Sequence, residues 1–475
     1  MSSRFTFTRQ AMADALTPAD AAAGDTAAAK VTRGRAVLHR RPAGFDGQAT
    51  SSPSADAGKA MRVAAHHFLV NRIPLSLVQS GDRPKILREA APLVREFVRI
   101  NGYALTSAEL DALAVAATDE LVGFGPLEPL LKDESVSDIL VNGPHRVFVE
   151  RNGLLERSTV SFDSDAHLLQ IIQKIVARVG RRIDEANPMA DARLPDGSRF
   201  NAAIPPLAID GPLVSIRKFS RRLLLLDDLV ASGTLDPAMA TLLAVAVRSR
   251  VSIVIAGGTG SGKTTLLNAL SSEIQDGERL ITIEDAAELQ LQQSHVVRLE
   301  TRAPNVEGTG EVRQRELLRN ALRMRPDRII IGEVRGEEAF DMMQAMNTGH
   351  EGSMTTVHAN NPRDTLARIE QMIGMAGLPM SAESIRAQVA AAVRLVVHIA
   401  RLSDGSRRIT SISELLGLTG DAFKMQEIFR FRESKRDETG RIHGRYVYSG
   451  VRPNFASRVH GADAAALDAH LTGAR

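Results

Sequence analysis

One stretch limits the fold more than any other. Gly257-Gly258-Thr259-Gly260-Ser261-Gly262-Lys263-Thr264 follows the pattern G-x-x-x-x-G-K-[ST] at every position. Such a loop needs a strand before it and a helix after it, so that its backbone amides and the positive end of the helix dipole meet in one concavity. Both flanks are present. Ser252 to Ala256 is an uninterrupted apolar run that reads as a buried strand. Lys263 to Ile274 places Leu267, Leu270 and Ile274 on one helical face. The chemistry of this element is phosphate binding. The loop from Gly257 to Thr265 would wrap the phosphates, Lys263 would neutralise the β- and γ-phosphates, and the Thr264 hydroxyl would ligate Mg²⁺.

In an open parallel sheet, ligands lie beyond the carboxyl ends of the strands. Three further apolar runs end abruptly in polar residues. Arg279 to Ile283 runs into Glu284-Asp285, with Glu288 shortly after. Arg328 to Gly332 runs into Glu333 and then Arg335, and Ser353 to Val357 runs into His358, with His350 in the loop before that strand. If these strands pair beside the glycine-loop strand, their polar tips share one edge. Glu333 would then orient the attacking water or serve the Mg²⁺ shell. Glu284 and Glu288 are rivals for the base, and His358 would sense the γ-phosphate, a role His350 could also take from its loop.

A chain of 475 residues exceeds one ordinary core. Residues 1–60, rich in Ala, Ser, Asp, Thr, Gly and Arg, read as a disordered tail. Residues 61–118 read as a helical domain, with Leu87, Ala91, Val94, Phe97 and Val98 on one face. Residues 119–220 read as a small α/β domain. Strands are expected at Ser137 to Gly143 and Arg146 to Glu150, a helix at His167 to Val179 and a hairpin at Asp196-Gly197. A linker, Lys218 to Asp236, leads into the phosphate-binding domain at 221–475. Near its end, hairpins join Leu395–Leu402 to Arg407–Glu414, and Met425–Arg432 to Arg441–Tyr448. The basic patch from Arg217 to Arg222 reads as a solvated linker.

Composition removes several function classes. There is no cysteine, which excludes disulfides and Cys-ligated zinc or iron–sulfur sites. No apolar run approaches the ~18 residues of a membrane-spanning helix, and Met1 to Gln10 lacks the apolar stretch of a signal peptide. A soluble, cytoplasmic protein is expected, touching a membrane only peripherally through partners. Net charge is +3 and aromatic residues make up 4% with no tryptophan, so direct nucleic-acid binding is not expected.

Four boxes in order carry a resemblance. They are the glycine loop, Ile283-Glu284-Asp285, Arg325 to Gly336, and Gly349 to Asn360. Together they closely resemble the type II/type IV secretion ATPase superfamily. Phe124 to Leu130, Val136 to Asn142, and Ser449-Gly450-Val451-Arg452-Pro453 are similar to its CpaF branch, which serves tight-adherence (Flp) pili. The resemblance implies a RecA-like P-loop domain preceded by a small PAS-like α/β domain, with ATP bound between them. It also implies a homohexamer that drives inner-membrane pilus platform proteins, and arginines from the small domain, Arg199 and Arg217 by position, that complete the site. Gly332 stands where many P-loop enzymes carry a metal-binding aspartate. The tetracysteine module and the Ala-Ile-Arg-Ser retraction signature are absent. An ATPase of a conjugation-type (type IV) secretion channel is the alternative, since it would share every one of these residues. A nucleic-acid translocase and a small-molecule P-loop kinase stand further off.

Overall fold

The computed structural model describes residues 55–473, apart from 152, 220–222, 303 and 305–308. The expectation of a disordered tail therefore lies outside the described residues for 1–54, as do Ser220, Arg221 and Arg222 of the basic patch.

Helices α1 (Ala55–Val70), α2 (Leu75–Ser80), α3 (Arg83–Ile100) and α4 (Ser107–Val122) come first, so residues 55–60 are already helical. Asp82 caps α3 by accepting from the Lys85 amide, and a Thr106–Glu109 capping box starts α4. On α3 the fully buried row is Ile86, Ala90 and Val94, continued by Phe97 and Val98. Leu87 and Ala91, expected inside, are only partly covered. The inward face is rotated by one residue because the i, i+4 steps run back from Val94 through Ala90 to Ile86.

A six-stranded antiparallel sheet follows. It comprises β1 (Val136–Asn142), β2 (Val147–Arg151), β3 (Leu154–Arg157), β4 (Met189–Arg193), β5 (Arg199–Ala203) and β6 (Leu213–Arg217), in the order β3-β2-β1-β6-β5-β4. It is preceded by the short α5 (Glu128–Lys132). Helix α6 (Asp165–Arg178) buries Leu168, Ile172, Ile175 and Val176 in a cluster with Ile139, Val141, Phe200 and Ile216. Alternation along the strands leaves the other residues, the arginines among them, on the opposite face. Helix α6 also grips α4. Lys174 Nζ donates to the carbonyls of Glu120 (2.8 Å) and Leu121 (3.0 Å), and Arg178 donates to that of Val122. Two cations thus meet the negative end of the α4 dipole.

The expected linker contains helix α7 (Leu226–Ala231), which buries Leu226 and Leu229, before α8 (Pro237–Arg248). The remaining elements are β7 (Ile253–Ala256), α9 (Lys263–Ser271), β8 (Leu280–Glu284), β9 (Val296–Glu300), α10 (Gln314–Ala321), β10 (Arg328–Val334), α11 (Glu338–Asn347) and β11 (Met354–Val357). After them come α12 (Pro362–Met375), α13 (Ala382–Ala392), β12 (Leu395–Arg401), β13 (Arg407–Thr419), β14 (Ala422–Arg436), β15 (Ile442–Tyr448) and α14 (Gly461–Gly473). Nine strands form one sheet, ordered β15-β14-β13-β12-β7-β11-β10-β8-β9. From β12 to β9 neighbours are parallel, and from β12 to β15 they are antiparallel. The hairpins expected near the end are present, with β13 and β14 longer than expected and β12 and β15 each one residue shorter, and β12 does double duty by also pairing in parallel with β7. Two apolar clusters, one on each face, bury the sheet. Fully covered parallel strands are expected to be continuous apolar runs, which is how Ile253 to Ala256 and Ile329 to Ile331 read.

Parallel strands have two unlike edges. At the amino-terminal edge, Arg328, the first residue of β10, is fully buried. Its guanidinium donates to Glu278 at 2.7 and 2.8 Å and to the Val247 carbonyl at 2.7 Å. Gly352, just before β11, has φ +79°, and a Cβ there would lie 2.7 Å from Arg328 Nη1 and 2.8 Å from Arg250 Cα. Only glycine fits that approach.

Candidate functional site

The strand order places β7, β11, β10 and β8 side by side and parallel, so the polar residues following each lie on the same, carboxyl-terminal edge. The glycine loop leaves β7 there. Gly260 and Gly262 have φ +68° and +99°, backbone that L side chains rarely adopt. A Cβ on Gly257 would collide with the Ile399 carbonyl, whereas one on Gly258 would meet nothing within 4 Å, so the loop is packed behind and open in front. The first-turn amides of α9 have no intrahelical acceptor. Those of Lys263 and Thr264 make no hydrogen bond to another described residue. Lys263 Nζ spans the loop, donating to the carbonyls of Gly257 (3.1 Å) and Gly258 (3.0 Å). Burial lowers the Lys263 pKa, and Glu333 opposes that shift from within electrostatic range.

The acids are held differently from one another. Glu284 ends β8 and is buried. Its Oε2 accepts from the amides of Glu288 (2.7 Å) and Leu289 (2.9 Å), while Oε1 is buried with no partner among the described residues. Burial pushes its pKa up to about 7, against those two hydrogen bonds. Ile283 pairs with Ile331, which brings Glu284 beside Gly332, and a Cβ on Gly332 would lie only 3.1 Å from Glu284 Cγ. The glycine in the third strand therefore makes room for a carboxylate from its neighbour. Glu333 is clasped by Arg335, whose Nε and Nη2 donate to Oε2 at 3.1 and 2.7 Å. Arg335 also approaches Asp285 at 3.5 Å.

His358 is exposed and directly follows Val357, whose carbonyl accepts from the Gly257 amide at 3.3 Å, so it flanks the loop. His350 is a correction. It precedes β11 and lies at the amino-terminal edge, where its carbonyl accepts from the Ser353 amide and Nδ1 is buried without a partner among the described residues. The loop entering a parallel strand sits a full strand length from the loop leaving it, so the two histidines cannot serve one ligand.

Arg199 and Arg217 come from the small sheet. Arg193, Arg199 and Arg217 are cross-strand neighbours on β4, β5 and β6. Like charges so placed repel unless acids face them. Arg217 meets Asp138 at 3.3 Å, Arg199 meets Glu288 at 3.5 Å, and Arg193 meets Glu300 at 2.6 Å while also donating to the Ala287 carbonyl. Arg199, Arg217 and Lys218 line one wall of a cavity of about 160 Å³, and Thr264, Thr265, Asn268, Glu288 and Gln290 line the other, with Leu223 and Leu224 at an apolar end. The wall that carries Thr264 and the wall that carries the arginines thus face each other, and Arg217 acts on Lys263 from within electrostatic range.

Sequence reading missed Arg193. The hairpin at Asp196-Gly197 places it opposite Arg199, so counting register outward from the turn would have found it. It also missed Arg401 and Arg407, which approach the glycine loop from the β12–β13 turn; nothing local in the sequence marks them.

The residues present fit a triphosphate nucleotide, with open glycine amides, a spanning lysine and facing arginines. They offer magnesium little beyond the Thr264 hydroxyl, since no group of three or more acidic or histidine side chains suited to a metal occurs among the described residues. No helix among the described residues is long and apolar enough to cross a membrane.

Residues 120–445 match the family described as T2SSE, Type II/IV secretion system protein. A Mycobacterium tuberculosis protein named for conjugal transfer is 40% identical over 337 residues, covering 66% of this chain and 95% of that protein. The type IV secretion system protein VirB11 of Bartonella quintana is 34% identical over 353 residues, covering 65% of this chain and 95% of its own length. The crystal structure of the VirB11 ATPase from the Brucella suis type IV secretion system, in complex with sulphate, is 33% identical with a TM-score of 0.33. It covers 60% of this chain and 94% of that one.

Proposed function

The chain belongs to the type II/IV secretion system protein family, and from that membership we propose that it is an ATP-hydrolysing motor for a conjugation-type (type IV) secretion channel. In this reading it acts as a ring of six copies that pushes on membrane-embedded partners. The observation that carries it is the run of four adjacent parallel strands whose tips bring Lys263, Glu284, Glu333 and His358 to one edge. The relatives named for conjugal transfer and type IV secretion favour this channel over a pilus.

The residues divide the work. Loop amides and Lys263 bind the β- and γ-phosphates, and Arg199 and Arg217 offset charge on the transferring phosphoryl group from the opposite wall. Glu284, whose pKa of about 7 leaves a substantial share ionised near neutrality, is suited in that carboxylate form to accept a proton from water; Glu333, tied to Arg335, orients that water. Glu288 holds Arg199 in reach. His358 reads the terminal phosphate beside Gly257. Magnesium, held by Thr264 and the phosphates, with Glu333 reaching it through water, would neutralise charge on the phosphate oxygens.

Assembly of a tight-adherence (Flp) pilus of the CpaF type is the second reading. It draws on the helices from Ala55 to Val122, which lie almost wholly before the family match begins. The test is phosphate release by the purified chain, together with Glu333→Gln, which should retain bound ATP and turn it over slowly. A wild-type chain that binds but never hydrolyses ATP would defeat both readings. Deleting the gene then separates them: loss of export with pili intact supports the channel, and loss of pili with export intact supports the pilus.

A further inference from the structure

The β12–β13 turn lies between the glycine loop and the small sheet, and its charges touch both. Arg401 and Arg407 stand directly opposite each other on these strands, an arrangement that repels unless an anion lies between them. Glu150, on β2 of the small sheet, supplies one. Its carboxylate accepts from Arg401 Nη1 at 3.0 Å and lies 3.9 Å from Arg407 Nη2. Arg407 Nε in turn donates to the Gly260 carbonyl at 3.1 Å, and its Cδ would lie 3.2 Å from a Cβ on Gly262. Turn packs on turn alongside: a Cβ on Gly153 would come within 2.8 Å of the Gly405 carbonyl.

We infer that Glu150, Arg401 and Arg407 form a clasp through which the small sheet sets the shape of the glycine loop, with Glu150 and Arg407 as positioning residues for nucleotide binding. The inference rests on the nucleotide-binding reading above. A concavity that binds phosphate needs successive amides turned inward, hence carbonyls turned outward. Arg407 holds one such carbonyl outward, and Glu150 holds Arg407. Movement of the small sheet that withdraws Glu150 frees the arginine and lets the loop relax, so sheet position and nucleotide affinity become linked. A planar guanidinium suits this because its fork reaches a carboxylate and a carbonyl at once.

The experiment uses the full chain, a fluorescent ATP analogue for affinity, and steady-state hydrolysis. Glu150→Ala should weaken nucleotide binding about tenfold, as loss of a charge-assisted contact does, and raise KM while kcat stays within about twofold. Arg407→Ala should match it. The double variant should be no weaker than either single one, because both act through the same contact. Arg407→Lys should stay weak. Glu150→Gln keeps the side-chain shape and serves if Glu150→Ala does not fold. Unchanged KM in the Glu150 variants, or losses that multiply to about a hundredfold in the double variant, would overturn the clasp. A purely structural role would lower the melting temperature and leave KM alone. A wild-type chain that binds no nucleotide would overturn the underlying reading, and the clasp with it.

Discussion

The two edges of the parallel sheet are made by the same strands and treat charge in opposite ways. At the amino-terminal edge, Arg328 is wholly enclosed, and Glu278 and two backbone carbonyls absorb its hydrogen bonds. At the carboxyl-terminal edge, the amides of Lys263 and Thr264 and one oxygen of Glu284 have no partner among the described residues, and Lys263 Nζ donates to carbonyls of its own loop. Buried polar groups are normally satisfied. Where they are, the chain is holding itself together. Where several converge unsatisfied, a ligand completes them.

The largest expected effect falls on the closed edge. Arg328→Ala would take two hydrogen bonds from the buried Glu278 carboxylate, which keeps Arg250 at 3.1 Å, and should cost about 3 kcal/mol of unfolding free energy, read by denaturant titration. A loss below about 1 kcal/mol, typical of an exposed pair, would erase the contrast. Lys263→Ala is the mirror case. Phosphate release should fall at least about a hundredfold, with the denaturation midpoint almost unmoved. A variant that unfolds instead would make the open edge structural too.

Glu284 sharpens the comparison through pH. Its folded pKa of about 7 lies above the ordinary 4.5. Between these values the folded chain holds a proton that the unfolded chain has lost, so stability declines as pH rises through that window and the deficit is complete above it. Glu284→Gln has no such proton. Relative to wild type it should gain on the order of 2–3 kcal/mol between pH 4.5 and pH 8, measured as paired denaturation curves, while its turnover drops. Equal slopes for the two proteins would mean that the carboxylate is not strained. The smallest effect is expected at the facing wall. Arg199→Ala should slow hydrolysis about tenfold without altering the melting temperature, and a matched fall in stability would reassign it to the Glu288 pair alone.

Much of this edge was legible because parallel, doubly covered strands are short apolar runs, and their ends are marked by the first charged residue. Glu284, Glu333 and His358 follow from that rule. His350 does not, because proximity in sequence was read without strand direction. The inward row of α3 was misread by one position, where Leu87 and Ile86 are equally apolar and periodicity alone does not choose. Helix α7 was hidden in a stretch that looks like a linker. The clasp was invisible for a different reason: Glu150 and Arg401 are 251 residues apart, and no local pattern encodes a contact between two turns.

The grip of Lys174 and Arg178 on the last carbonyls of α4 has a practical outcome. Because three successive carbonyls are held by cations rooted in α6, the helices before Val122 cannot swivel freely without baring two partly buried charges. Whatever tugs on that leading bundle therefore steers the neighbouring sheet as a tiller steers a rudder, with little lost motion between them.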